Sequence, residues 1–399
     1  MKHFFIILVS ILFEFKTLLA QQPADTAKKM NMDAVYDRPF MAGGQEKVMM
    51  GGYAEANWQH RGTDGISEGH QFQFRRLTLF TAAGIGRKIR FMSELEIEDG
   101  GRSLAIEFAA IDLELHPLLN LRSGVILNPI GAFNQNHDGP KWEFTERPMV
   151  STHLLPATWS NAGFGIFGKI WRENWMVGYE LYASGGFDGS IISNEQNKTY
   201  LPAAKSNPNR FESSASGLPL YSGKMAAKYK QLAEIGLSYM GGTYNAFQKD
   251  GLIADDQRRC HAWALDWNIA PHSKTRLLGE YVYIRTDIPE TYLQSYGRQQ
   301  QGFFVDWVQT LREKPISVWN KAAFYAAFRV DFVDWNLDIL SETGDKISDH
   351  YWGFTPALSF RPVPQTVFRA AYTYASQTDF FGNPPALTGG FQVGVSTYF

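Results

Sequence analysis

From Val48 onward, apolar and polar residues alternate in a series of stretches, each about the ten residues a tilted transmembrane strand needs. In Ile89–Glu98, Ile89, Phe91, Leu95 and Ile97 share one parity, and Arg90, Met92, Glu94, Glu96 and Glu98 share the other. His261, Trp263, Leu265, Trp267 and Ile269 alternate with Cys260, Ala262, Ala264, Asp266 and Asn268. The final residues repeat the pattern, with Phe391, Val393, Val395 and Phe399 set against Gln392, Gly394, Ser396 and Tyr398. A period of two places successive side chains on opposite faces of a strand, and no helical period competes with it here. The pattern predicts sixteen strands: 48–58, 70–82, 87–98, 103–115, 119–128, 162–171, 174–185, 221–230, 231–241, 258–269, 274–286, 301–312, 319–333, 350–361, 366–377 and 390–399. Two are out of phase internally. Phe72 and Phe74 oppose Leu77 and Leu79, which predicts a bulge near Arg75-Arg76, and Ile106 and Phe108 oppose Ile111, Leu113 and Leu115.

The connections alternate in length. Short turns are expected near 84–86, 116–118, 172–173, 230–231, 270–273, 313–318 and 362–365, and long loops near 59–69, 128–161, 185–220, 242–257, 287–300, 334–349 and 378–389. Only 99–102 is brief where a long loop is due. Short turns at one end and long loops at the other are the layout of an outer-membrane barrel. The predicted fold is therefore all-β, an up-and-down antiparallel transmembrane β-barrel of sixteen strands, closed by pairing of 390–399 with 48–58.

The N-terminus changes the picture only in compartment. Lys2, the apolar run Phe4–Phe13 and a small residue at Ala20 read as a signal peptide over 1–20. Residues 21–47 are polar and aperiodic and read as a periplasmic segment, leaving 48–399 for the barrel. The one cysteine, Cys260, excludes an intrachain disulfide framework. Composition, with 44% hydrophobic and 20% charged residues, resembles a soluble protein, as expected when only alternate residues meet lipid. With 38 basic against 40 acidic groups, nothing points to nucleic acid.

Several stretches resemble the phosphate-selective porin O and P family: Phe74-Arg75-Arg76 followed by Leu77 and Leu79; Leu121 through Gly131 (LRSGVILNPIG); Glu146-Arg147-Pro148; and Leu358 through Val367 (LSFRPVPQTV). The resemblance runs from about residue 50 to the end. It implies a sixteen-stranded channel, commonly trimeric, whose loops fold inward and whose constriction passes anions between Arg and Lys side chains.

On the predicted strands the polar parity faces the lumen. Its basic members are Arg90, Arg122, Lys169, Lys224, Lys228, Lys230, Arg329 and Arg369, and its acidic members include Glu94, Glu96, Glu98, Asp112 and Glu114. Lys224, Lys228 and Lys230 form a basic row, and Glu94, Glu96 and Glu98 an acidic one. Opposed rows would set a transverse field, whereas pairing, as of Arg329 with Asp331, would cancel it. The loops 128–161 and 185–220 are too long for plain connections. They are the expected constriction, with Lys141 and Arg147 in the first and Lys205 and Arg210 in the second. No H-E-x-x-H or P-loop occurs, and His137, Asp138 and His153 are too few and too local to be read as a metal site. The expectation is a porin, not an enzyme, with no cofactor or metal. Its partners would be outer-membrane lipid, small hydrophilic solutes or anions, and two further copies in a homotrimer. The alternatives are a structural or surface-complex barrel without an open channel, and a barrel enzyme.

Overall fold

The computed structural model describes residues 30–41, 48–207 and 209–399; the expected signal peptide and residues 21–29 and 42–47 lie outside the described residues. Sixteen antiparallel strands close into one barrel. They are β1 (Val48–Thr63), β2 (Ile66–Ile85), β3 (Ile89–Glu98), β4 (Ser103–His116), β5 (Leu119–Leu127), β6 (Ser160–Arg172), β7 (Trp175–Ser184), β8 (Leu220–Tyr229), β9 (Ala233–Thr243), β10 (Arg259–His272), β11 (Thr275–Thr286), β12 (Gln299–Glu313), β13 (Ala323–Asp334), β14 (His350–Arg361), β15 (Thr366–Gln377) and β16 (Ala386–Tyr398). Each strand pairs with its sequence neighbours, and β16 closes on β1 from Tyr53↔Tyr398 to Thr63↔Thr388. The predicted closure and strand count therefore hold, and the barrel itself has no open strand edge.

Both phase breaks are bulges. Between Glu55/Ala56 on β1 and Arg76/Phe74 on β2, Arg75 is the extra residue. It lets Phe74 face outward while Arg75 and Arg76 both turn inward. On β4 the shift falls between Ile106 and Phe108, so Glu107 is extra. Ile106 stays outside while Glu107 and Phe108 are buried, which separates two residues the sequence had grouped on one face.

One expected long loop is absent. Residues 59–69 are strand on both sides of the two-residue turn Asp64-Gly65, whose φ values are 52° and 81°. Positive φ at both central positions suits the right-handed strand twist, and Asp-Gly is the dipeptide that supplies it. The strand expected from 319 begins at Ala323.

The outer surface is apolar. Phe72, Phe164, Leu181, Leu237, Leu358 and Phe391 are exposed. Aromatic rings stack sideways near both ends of the wall, as Tyr239–Trp263–Tyr283 at the long-loop end and Trp175–Tyr229 and Phe324–Phe360 at the short-turn end. An apolar band between aromatic girdles is the surface that a bilayer covers. The barrel spans the outer membrane of a Gram-negative cell, with the long loops outside and the short turns in the periplasm.

Candidate functional site

The lumen wall carries many charges, and strand register sets several of them opposite one another. Asp112 lies opposite both Arg90 and Arg122, Glu180 opposite Lys224, Lys228 opposite Glu234, and Asp306 opposite Arg329. Directly opposed Cβ atoms sit within reach of one another, whereas i and i+2 on one strand are farther apart. Arg329 therefore grips Asp306 with two bonds of 2.6 and 2.7 Å, not the expected Asp331, which accepts the Met149 N–H at 2.9 Å. Arg122 holds Asp112 at 2.7 Å, and Lys224 holds Asp266 at 2.7 Å. Arg90 pairs with Glu114 at 3.0 Å near the periplasmic rim. Arg369 meets Glu55 at 3.1 Å, and Arg76 meets Glu96 and Glu98 at 3.2 and 3.3 Å. Lys169 pairs with Asp33.

The expected rows do not stand as opposed fields. Lys230 is exposed in the β8–β9 turn at φ 49°, leaving only Lys224 and Lys228 on the wall. Glu94 and Glu96 are also neutralised by cations.

The connection from β5 to β6, residues 128–159, folds into the barrel. Two glycines permit close approach to the wall. Gly131 has φ 67°, and a Cβ there would meet the Glu280 carboxylate; a Cβ at Gly139 would meet Glu55. The loop is pinned all round. Glu280 accepts the N–H groups of Ala132 and Phe133 at 2.9 and 3.1 Å. Arg361 donates to Glu143 at 3.0 Å, and Arg369 donates to the Phe144 carbonyl at 2.7 Å. Arg329 and Arg75 donate to the carbonyls of Glu146 and Thr145, both at 2.8 Å. The wall arginines thus have two tasks: they neutralise wall carboxylates and they tie down loop carbonyls that would otherwise be buried without partners.

The connection 185–219 also turns inward. Phe187, Ile191 and Leu201 pack with Ile130, Val150 and Trp159 of the first loop and with Met240, Val282 and Phe304 of the wall, filling the outer lumen beside β9–β12. Lys205 lies in its 3-10 turn, where burial lowers its pKa and the facing Glu107 opposes that shift. Arg210 donates to the Lys205 carbonyl, and burial lowers its pKa too.

The segment expected in the periplasm is, over residues 30–41, inside the barrel. Val35 and Met41 pack with Tyr53, Phe80, Met92 and Phe108 of the wall. Tyr36 bonds Asp112 and Arg122, and Asn31 donates to Glu234 and Asp266. Arg38 is 3% exposed. It binds Asp138 through two bonds of 3.0 and 2.8 Å and Glu94 at 2.8 Å, with Phe80 4.4 Å from the guanidinium carbon. Glu94, His137 and Asp138 have ligand atoms within 4.8 Å of one another, which is a spacing a metal could use. The Arg38 guanidinium already bonds both carboxylates, so the chemistry of the site suits a buried ion network better than a metal. Burial alone would lower the His137 pKa, but Glu94 and Glu107 override it and push it up to about 10. Burial would raise Asp138, yet Arg38, Lys141 and His137 hold it well below the usual carboxylate range. Lys141 donates to the Ala34 carbonyl at 3.0 Å, its pKa lowered by burial against the pull of Asp138. His153 lies apart, against Thr152.

Two cavities lie between the inward loop and the wall, one against β10–β14 and one against β13–β16, β1 and β2. The periplasmic cavity, about 690 Å³, is bordered by Trp267, Arg276, Tyr325 and Arg361 of the wall and by Met30, Asn31 and Asp37 of the inserted segment. The outer cavity, about 640 Å³, is bordered by Arg61, Arg75, Arg76, Arg147 and Arg329, with Glu146 and Asp331 as its carboxylates. Phe144 borders both. It is 2% exposed, packed on Val308, Ala327, Ala357 and Ala371, with the Arg329 guanidinium 4.2 Å from its ring centroid. Phe144 and the Arg329–Asp306 pair form the septum.

Sequence reasoning named Arg147 and Arg329 but missed Phe144, Arg61 and Arg75 as residues bordering these cavities, and missed Arg38 as the buried clamp of the inserted segment. Arg75 could have been placed by the phase break that it causes, whereas Phe144 and Arg38 carry no periodic signal. The letters Gly65-Ile66-Ser67-Glu68-Gly69 fit G-x-S-x-G, but they belong to the exposed β1–β2 hairpin rather than a strand-to-helix elbow, and Ser67 serves the Gly69 N–H at 3.1 Å.

No protein-family model matches the chain. An uncharacterized protein of Aquifex aeolicus (strain VF5) is 28% identical over 206 residues, 50% of this chain and 45% of that protein, so the chain spans less than half that relative's length. Among solved structures, an anion-selective porin from Comamonas acidovorans superposes with TM-score 0.56 at 11% identity over 88% of this chain and 99% of that one. The fold is that of the outer-membrane porins. The outer membrane channel DcaP of Acinetobacter baumannii gives TM-score 0.55 at 13% identity, covering 90% and 100% of the two chains. Salmonella typhi OmpF gives 0.52 at 11%, covering 88% and 98%. Likeness at such identities is a likeness of fold.

Proposed function

We propose that the protein is a passive diffusion channel for small hydrophilic solutes, with a preference for anions such as phosphate, and that it works as a homotrimer. The observation that carries this is the pair of cavities beside the inward loop. They hold about 690 and 640 Å³, one toward the short turns and one toward the long loops, and Phe144 borders both. Size exclusion acts at the septum. Charge selection acts above it, where five arginines and two carboxylates border the outer cavity and further wall carboxylates pair with Arg76 and Arg329. A low-dielectric wall focuses the net positive potential of such a lining into the channel and raises the local anion concentration. The name of the Comamonas barrel, an anion-selective porin, supports the same reading.

A closed barrel that anchors a surface complex is the second reading, favoured by how completely Phe144 and the Arg329–Asp306 pair fill the septum. Planar-bilayer recording separates the two. Discrete channels are expected, with a reversal potential across a potassium chloride gradient of anion-selective sign. Absence of any channel at all voltages refutes the channel. A cation-selective sign refutes only the anion preference. The Arg61→Glu/Arg75→Glu pair should move the reversal potential toward cations. Cross-linking in native membranes reads the trimer directly.

A further inference from the structure

We propose that residues 30–41 are a restriction element of the pore's periplasmic half, clamped in place by Arg38. The element is not part of the barrel, yet it borders the periplasmic cavity through Met30, Asn31 and Asp37. Every part of the lumen that it touches is provided for it. Asp112 and Arg122, Lys169, and Glu234 with Asp266 each present polar atoms to Tyr36, Asp33 and Asn31 in turn.

Arg38 has a role that its neighbours do not share. Its fork joins three separate pieces: the segment, through the Val35 carbonyl at 2.8 Å; the inward loop, through Asp138; and the wall, through Glu94 on β3. Tyr398 of β16 donates to the same Asp138 at 2.6 Å. Planar guanidinium geometry can serve two carboxylates and a carbonyl at once, which an ammonium cannot do with the same precision. Without Arg38, Glu94 and Asp138 would keep His137 and Lys141 beside them but lose the group that joins them to the segment, which disfavours the docked arrangement of both segment and loop. Arg38 is therefore a positioning residue for the whole lower constriction.

The inference rests on the channel reading, and the experiment keeps the two apart. Single-channel conductance is measured for the wild-type chain, a deletion of residues 30–41, Arg38→Ala and Arg38→Lys. A silent wild type sinks the channel reading. With a conducting wild type, the deletion is expected to raise conductance, Arg38→Ala to raise it partway with added open-channel noise, and Arg38→Lys to fall between Arg38→Ala and wild type. A deletion variant that folds, by β-sheet circular dichroism and cooperative unfolding, and conducts as wild type overturns the inference. A second readout needs no current. Cys260 is fully buried, so it provides a silent background for a thiol placed at Ala34, itself 1% exposed. Ala34→Cys should resist a hydrophilic maleimide in the otherwise wild-type protein and react quickly once Arg38→Ala is added. Equal, rapid labelling in both backgrounds means that the segment is not held, and overturns the inference even if a deletion fails to fold.

Discussion

Replacing Phe144 by alanine removes the ring that separates the two cavities, and its consequences can be worked from the contacts. Burying a phenylalanine side chain is worth about 1.5–3 kcal/mol in transfer free energy. The ring also sits under the Arg329 guanidinium at 4.2 Å in a water-poor septum, where a cation–π contact contributes up to about 2 kcal/mol. The sum, up to about 5 kcal/mol, overlaps the roughly 3–5 kcal/mol typical of Phe→Ala in cores. Here the vacancy adjoins a wet cavity on each side, so water can enter it and the cavity penalty is small. We therefore expect about 3 kcal/mol, the low end of that range. Urea unfolding of the detergent-solubilised barrel measures the loss. Bilayer recording measures the gain: with the septum removed the cavities merge, and single-channel conductance should rise clearly above wild type. Phe144→Leu keeps most of the volume and should stay near wild type in both assays. If Phe144→Ala folds, loses stability as expected and yet conducts as the wild type does, then Phe144 is not the septum and the passage runs elsewhere.

Other consequences are equally concrete. Lys224→Met leaves Asp266 buried without its 2.7 Å partner and should cost about 3–5 kcal/mol by urea unfolding, whereas Lys224→Met/Asp266→Leu should recover most of it. His137 faces Glu94, Glu107 and Asp138, and its folded pKa is about 10 against an ordinary 6.5. Because the folded value is raised, its contribution is fully present below pH 6.5 and is lost as pH rises through about 10. The unfolding midpoint should fall across that interval, and His137→Gln should flatten the fall; a midpoint equally pH-dependent in both proteins would refute the assignment. The turn at Asp64-Gly65 should reject Gly65→Val, because a β-branched residue is strained at φ 81°, at a cost of about 1–2 kcal/mol and with no effect on selectivity.

The wall was largely legible in the sequence and its filling was not. Alternation is a local signal, so strand count, closure and even the bulge at Arg75 can be read from the order of Phe72, Phe74, Leu77 and Leu79. The hairpin at Asp64-Gly65 was also local, but its flanks, including His60, Gln71 and Gln73, are too polar to show as strand. Which charges meet is decided across strands. Arg329 has Asp331 two residues away but meets Asp306 instead, because register places the latter opposite. Lys230 has the parity of a lumen residue but lies where the chain turns. The insertion of residues 30–41 depends on Glu94, Asp138 and Asp112, which come together only when the barrel exists, and a polar aperiodic stretch gives no hint of such a destination.

The seam between β1 and β16 has a consequence for biogenesis. It joins Tyr53 to Tyr398, nearly opposite ends of the chain, and the same Tyr398 reaches in to Asp138, which Arg38 also holds. The seam, the inward loop and the inserted segment are thus linked through one carboxylate. These contacts are remote in sequence, and such contacts are slow to form. Before the β1–β16 seam closes, half-apolar strands with unpaired edges make the chain more open to aggregation than the finished barrel is.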